Sequence, residues 1–331
     1  MKKLPSFVFA GLFLSFFCIL TDCSCTRNSP TPTTTSDSGT TSSTQPVDIS
    51  LFNTTSGTIT SITDTTITVS DGSTMECYAI HTTELAKDHA MGPWCPADTT
   101  QTGGIWEDTE DNTIHTVDNT YLNILKGRGW DLVNSDGTVR RTTSTASFTL
   151  EVMQENEGWT FAEAEANGNV NTCIEATPQS QSTIVCIPKT PKKASSAASI
   201  FSSSALDFNG GFGISLNGII YFPPEPVEKI VFYQNIAPMD VNGGHTGFAL
   251  DYHYHRAIRV PNSSTKILGY MLDGYPLYGT TEPDGSTPTD LDEQHGHETS
   301  ALGYHYHTYE INEFPYIVSG LTGVYGKVIR R

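Results

Sequence analysis

The chain reads Tyr-His-Tyr-His at Tyr252–His255 and again at Tyr304–His307, with a third His-x-His at His295 and His297. On a β-strand, residues two apart share a face, so each copy sends two imidazoles to one side and two phenols to the other. If the two strands lie side by side or face each other, His253, His255, His305 and His307 converge at a spacing suited to a first-row transition metal. The tyrosines then fill the core behind the site or fix the imidazoles by hydrogen bonds. Seven of the ten histidines fall between His245 and His307. Two water-facing amphipathic strands, or a cluster of histidines that senses pH, account less well for this doubling.

The rest of the chain reads as mainly β: a single large β-sandwich or irregular barrel with long loops and few short helices. Residues 57–72 alternate Ile or Val with Thr and Ser and end on Asp71-Gly72, which predicts a half-exposed strand pair closed by a turn. Further strands are expected at Ser147–Val152, Ser182–Ile187, Gly213–Phe222 and Lys229–Gln234. Two short helices are expected at Asn119–Lys126 and Thr160–Ala166, with Lys192–Ser204 ambiguous. A formal charge of −18 opposes nucleic-acid binding.

Residues 1–23 have the layout of an export signal: Lys2 and Lys3, an apolar run from Pro5 to Leu20, then Thr21, Asp22 and Cys23. This end is similar to the lipobox of bacterial lipoproteins, with Cys23 or Cys25 as the lipidated residue and residues 24–48, rich in Ser, Thr and Pro, as a flexible tether. The folded part, 49–331, is therefore expected outside the cytoplasm, anchored to a membrane by lipid or, alternatively, secreted. There Cys77, Cys95, Cys173 and Cys186 can act as disulfide staples. Of their three pairings, Cys77–Cys95 with Cys173–Cys186 closes the shortest loops.

From Met75 to Gly323 the sequence resembles the YHYH-domain proteins, a group of mostly exported proteins of unsettled function. The resemblance is carried by DHAMGPWCP with His89, by GFGISLNGIIYF (Gly211–Phe222), by His245 eight residues before His253, and by DGYPLYG (Asp273–Gly279). LDEQHGH, GYHYHTY and FPYIVSGLTG close the pattern. It implies one domain, with a core over residues 241–323, rather than a division at the Pro188–Ser204 run. It also implies a crosslink that this chain lacks, since family cysteines correspond to Gln294 and to a position near Gly320. His295 occupies a position that varies in the family.

The metal candidates are therefore His253, His255, His305 and His307, then His297 and His245, then His89. His295 ranks lower, and His81 and His115 read as surface residues. A thiolate-free, imidazole-rich site favours copper, with zinc next. Calcium is disfavoured, because it prefers oxygen ligands. The function that follows is an exported metal-binding protein that sequesters or delivers copper. The alternatives are a metalloenzyme, either a copper oxidoreductase or a metal-dependent hydrolase, and an interaction module that binds no metal. Glu298, Asp251, Asp273 and Glu310 flank the motifs as available bases, but each reads equally well as a rim charge or turn residue. No HExxH or GxSxG motif is present. Protein partners are not legible.

Overall fold

The computed structural model describes residues 44–142, 160–201, 210–224, 227–247, 249–257 and 266–331. The expected export signal, the lipidated cysteine, most of the tether and the Ser147–Val152 strand lie outside these residues.

Strand β1 (Ile59–Thr68) starts on buried Ile59, keeps Ile62, Thr65 and Ile67 part-buried among exposed neighbours, and turns through Asp71 and Gly72 into β2 (Thr74–Thr82). The two pair antiparallel along their length. After them come the hairpin β3 (Ile105–Asp108) and β4 (Thr113–Thr116), and helix α1 (Asn119–Gly127). The Asp118 carboxylate caps α1 by accepting from the Tyr121 backbone N–H. Next are β5 (Arg141–Thr142), helix α2 (Phe161–Ala166) with its Thr160/Glu163 capping box, and β6 (Cys173–Ile174). Both expected helices are thus present. Strand β7 (Thr183–Pro188) is fully buried and pairs with β2, and β8 (Lys193–Ser199) makes the first part of the ambiguous segment a strand, while residues 202–204 lie outside the described residues.

The remaining elements are β9 (Gly213–Ser215), β10 (Ile220–Tyr221), helix α3 (Val227–Phe232), β11 (Gly244–Thr246), β12 (Tyr252–Tyr254), β13 (Gly269–Met271) and β14 (Pro276–Tyr278). They are followed by β15 (Gly296–Thr299), β16 (Gly303–His307), β17 (Gly320–Gly323) and β18 (Lys327–Arg330). Two expectations are corrected here. Gly213–Phe222 is not one strand but a hairpin, because Asn217-Gly218 turns the chain and Gly218 takes φ +90°. Lys229–Gln234 is not a strand: residues 227–232 form α3, which buries Ile230 and exposes Phe232, and Tyr233, buried, follows it in the turn.

The strands form a four-stranded sheet, β1-β2-β7-β18, and an eight-stranded sheet, β11-β12-β10-β9-β13-β14-β16-β15, with three two-stranded ribbons. One apolar core joins the two large sheets, drawing Ile80, Val185 and Ile187 from the first and Ile214, Ile220, Tyr252, Leu277 and Tyr306 from the second. None of the sheets closes into a barrel, so that option falls away and the mainly β class stands. A second apolar cluster, around Trp106, Tyr121, Leu125 and Ile236, packs the α1 region. Among the described residues no helix is long and apolar enough to cross a membrane.

The cysteines depart from the shortest-loop pairing. Cys95 and Cys173 are bonded, while Cys77 and Cys186 are free and buried. The reason is spatial: Cys95 and Cys173 share the second apolar cluster, whereas Cys77 and Cys186 lie on the neighbouring strands β2 and β7. Burial pushes the Cys77 thiol up to about 11, which leaves it poorly nucleophilic.

The eight-stranded sheet is built from a repeat larger than the tetrapeptide. Gly213-Ile214-Ser215-Leu216-Asn217-Gly218 corresponds to Gly269-Tyr270-Met271-Leu272-Asp273-Gly274, and each segment forms a hairpin with a positive-φ glycine at its turn. The second strand of each hairpin pairs parallel with a YHYH strand, β10 with β12 and β14 with β16. At the centre, β9 and β13 pair antiparallel with Ile214 opposite Tyr270, its own counterpart. The sheet therefore has an approximate twofold axis between these two residues.

The repeat exposes one substitution with a measurable consequence. Asn217 donates its amide to the Tyr254 hydroxyl (3.1 Å), while its counterpart Asp273 accepts from the Tyr306 hydroxyl (2.6 Å) and from the backbone N–H of Gly323 (2.8 Å). Burial pushes the Asp273 carboxyl up to about 6. Below pH 4 both folded and unfolded chains hold this proton, but above pH 6 only folding forces a bare carboxylate into the core. The stability contribution is thus lost as pH rises through about 6. Asp273→Asn is expected to match the unaltered chain at pH 4 and to exceed it at pH 8 by about 2 kcal/mol in urea unfolding. A variant less stable at both pH values would show that the carboxylate is required.

Candidate metal centres

Each YHYH strand has an antiparallel neighbour that supplies a third imidazole. His245 on β11 lies opposite His253 on β12, and His297 on β15 lies opposite His305 on β16. The hairpins that align them are tied in the same way. Asp240 and Asp292 each accept a backbone N–H from two residues on, Asn242 or Gln294, and from the glycine before the histidine, Gly244 or Gly296. Their other oxygens accept from the hydroxyls of Tyr252 and Tyr304, each at 2.8 Å. The first tyrosine of each YHYH thus anchors the turn that presents the third histidine.

At the first centre His245, His253 and His255 are all buried. The Nε2 atoms of His253 and His245 each lie 3.1 Å from Nε2 of His255. Two of the opposite nitrogens are committed: Nδ1 of His255 faces the carbonyl of Pro223 (2.6 Å) and Nδ1 of His253 faces the carboxylate of Asp251 (3.1 Å). Phe222 stacks on the His253 ring with centroids 4.0 Å apart.

At the second centre His297, His305 and His307 meet Glu282. Nε2 of His297 lies 3.1 Å from Nε2 of His305 and 2.8 Å from Oε1 of Glu282. The Glu282 carboxylate lies 3.4 Å from Nε2 of His305 and 3.7 Å from Nε2 of His307. All three Nδ1 atoms point at carbonyls, of Thr289 (2.8 Å), Gly303 (3.0 Å) and Gly279 (2.8 Å).

A carbonyl only accepts, so each of these Nδ1 atoms carries the proton and each Nε2 keeps a lone pair. Lone pairs 3.1 Å apart repel unless a cation lies between them. Nitrogens at about 2.0–2.1 Å from a tetrahedral ion are spaced by about 3.3 Å, close to what both clusters provide. His307 Nε2 is buried with no hydrogen-bond partner, which a metal ion would remedy. Burial lowers the pKa of His253, His255, His305 and His307, that of His307 to about 4, so these rings stay neutral and able to ligate below the usual histidine range. Without metal, their contribution to stability is present above about pH 6.5 and lost as pH falls toward 4, where the folded chain also takes up the protons. Thermal melts of metal-free protein should therefore decline steeply across that window. A flat profile from pH 7 to 4 would mean that the rings are solvated.

The structure corrects the picture of four imidazoles converging from two YHYH strands. β12 and β16 are five strand spacings apart in the sheet, about 24 Å if it were flat. The six leading histidines divide into two groups of three, and the sequence reading did not single out Glu282, which sits in the turn before β15. His89 joins neither group: its Nδ1 lies 2.7 Å from Asp88, and its Nε2 lies 3.5 Å from the Tyr254 hydroxyl. His295 faces the His307 carbonyl through Nδ1 and stacks on Tyr309. His115 contacts Asp111, and His81 is part-buried on β2. Asp108, Asp111 and His115 also approach one another, but the Arg128 guanidinium already lies on both carboxylates. Gln294 and Gly320 are neighbours, a side chain at Gly320 falling 3.2 Å from Cγ of Gln294, which is where the resemblance implies a crosslink.

Fold and sites together define a β-rich protein with two separate histidine clusters of metal-ligand spacing. Residues 184–290 match the model of the family described as YHYH protein, so the chain is similar to that family over this stretch. The match takes in the first YHYH strand and Glu282 and ends before His297. No curated protein and no solved structure matches the chain.

Proposed function

We propose that this chain binds transition-metal ions at two independent centres, copper in preference to zinc, and sequesters or delivers them outside the cytoplasm as a lipid-anchored protein. The observation that carries the reading is the commitment of the Nδ1 protons of His253, His255, His297, His305 and His307 to fixed acceptors, which leaves their Nε2 lone pairs gathered within each cluster. Imidazole without thiolate suits copper, and the affinity order places Cu(II) above Zn(II). Export is supported by the N-terminal sequence and by the Cys95–Cys173 bond, which an oxidising compartment favours.

An enzymatic reading of the second centre has one observation in its favour. A polar pocket of about 440 Å³ adjoins it, lined by Glu282, His297, Glu298, Asp290 and the hydroxyls of Ser286 and Thr287. Such a pocket provides room for an exogenous ligand beside the ion. Elemental analysis of the untagged chain tests the main reading. Two equivalents of copper or zinc support it, whereas protein that cannot be loaded with either metal overturns it and leaves the interaction-module reading. Titration of the copper-loaded form with azide then separates the two metal readings, a saturable spectral change favouring the enzyme.

A further inference from the structure

The two repeats differ directly behind one pair of equivalent imidazoles. In the second, Nδ1 of His305 donates to the backbone carbonyl of Gly303, two residues earlier. In the first, the corresponding residue is Asp251, and Nδ1 of His253 meets its carboxylate oxygen instead. Asp251 is almost fully buried and has a second neighbour from outside the eight-stranded sheet. Arg330, on β18 of the four-stranded sheet, places Nη2 3.4 Å from the same Asp251 oxygen. Its Nη1 lies 3.0 and 3.2 Å from the two oxygens of Glu84, a fully buried carboxylate. The guanidinium also sits over the Phe222 ring at 5.3 Å, and Phe222 in turn stacks on His253. Two lines of contact thus run from the last strand to His253, one through Asp251 and one through Phe222. At the second centre Tyr278, the counterpart of Phe222, meets the His305 ring edge-on at 5.2 Å, but among the described residues no carboxylate and guanidinium stand behind His305, whose Nδ1 faces the Gly303 carbonyl.

We propose that Asp251 and Arg330 are positioning residues for the first metal centre alone. The carboxylate fixes the Nδ1–H tautomer and ring plane of His253 and raises the donor strength of its Nε2. Arg330 holds the carboxylate in place and so couples the four-stranded sheet to the metal. A carboxylate behind a ligating imidazole is worth about 10- to 100-fold in metal affinity. The inference rests on the metal-binding reading, and the second centre serves as its internal control.

The test uses the full chain in two backgrounds, His305→Ala to report the first centre and His253→Ala to report the second, each titrated with Cu(II) against a chelator and followed by electron paramagnetic resonance. Asp251→Ala should weaken copper at the first centre about 10- to 100-fold and alter its spectrum, with the second centre unchanged. Arg330→Ala should give a smaller loss in the same direction, and Arg330→Lys should restore much of it. Because Arg330→Ala also strands Glu84, Asp251→Asn provides a variant that keeps an acceptor and removes only the charge. It should fold normally, as judged by the second centre, and still show the altered spectrum. Unchanged affinity and spectrum at the first centre in Asp251→Ala would overturn the proposal, as would equal losses at both centres, which would mean general damage to the fold. Failure of both backgrounds to bind copper would instead overturn the metal reading itself, and this proposal with it.

Discussion

Replacing His253 by alanine is expected to remove one bound ion per chain and leave the other in place, and His305→Ala is expected to do the reverse. The argument is geometric. Each residue sits with its two partner imidazoles in its own cluster, and the clusters lie at opposite ends of an eight-stranded sheet. Removing one of three imidazoles opens a coordination position and leaves a cavity, so the affected centre should lose at least about two orders of magnitude in affinity. Sites this far apart, with no shared ligand, should respond additively. The double variant should then hold no ion, and each single variant should titrate with half the stoichiometry of the unaltered chain. Elemental analysis with a chelator competition reads both quantities. If either single substitution emptied the whole protein, the ions would have to share a site, and the two-centre arrangement would be wrong.

The second large effect is expected from the disulfide. Cys95 and Cys173 are 78 residues apart, and the bond closes a loop containing α1, β3, β4, β5 and α2. Loop-closure entropy alone gives about 4 kcal/mol for a ring of this size. Cys95→Ala/Cys173→Ala should lower the urea midpoint accordingly, whereas Cys77→Ala/Cys186→Ala should cost only what two small buried side chains are worth in packing. Metal content should be unaffected in both, because no cysteine lies in either cluster. A loss below about 1 kcal/mol for the first variant would mean that the loop is held equally well by its apolar contacts.

Much of the site was legible because its chemistry is written in a two-residue period. His-x-His on a strand must place two rings together, and the eight-residue offsets from His245 to His253 and from His297 to His305 match a hairpin that returns a third ring to the same face. The partition into two centres was not legible, because it depends on sheet order. Nothing local to Tyr252–His255 shows that β9 and β13, rather than the two YHYH strands, meet at the middle of the sheet. The wider repeat was hidden for a similar reason: outside residues 240–255 and 292–307, its halves share little beyond glycine spacing and the Leu-Asn-Gly and Leu-Asp-Gly turns. Glu282 escaped notice because Pro283, Asp284 and Gly285 mark its surroundings as an ordinary turn. At Lys229–Gln234 the apolar run Ile230–Tyr233 is too short and continuous to favour either period, and the backbone is helical over Val227–Phe232.

The pairing of Ile214 with Tyr270 across the middle of the sheet has an ancestral reading as well. Two equivalent strands meeting antiparallel about a twofold axis is the geometry by which identical subunits associate through the same surface. The eight-stranded sheet is in this sense arranged as two equivalent half-sheets of a dimer, within one polypeptide. A shortened chain ending before residue 266 would keep three imidazoles and the disulfide, yet β9 would lose its β13 neighbour, as β7 and β8 would lose β18 and β17, leaving backbone groups unsatisfied. Such a fragment would be recruited by its own twin.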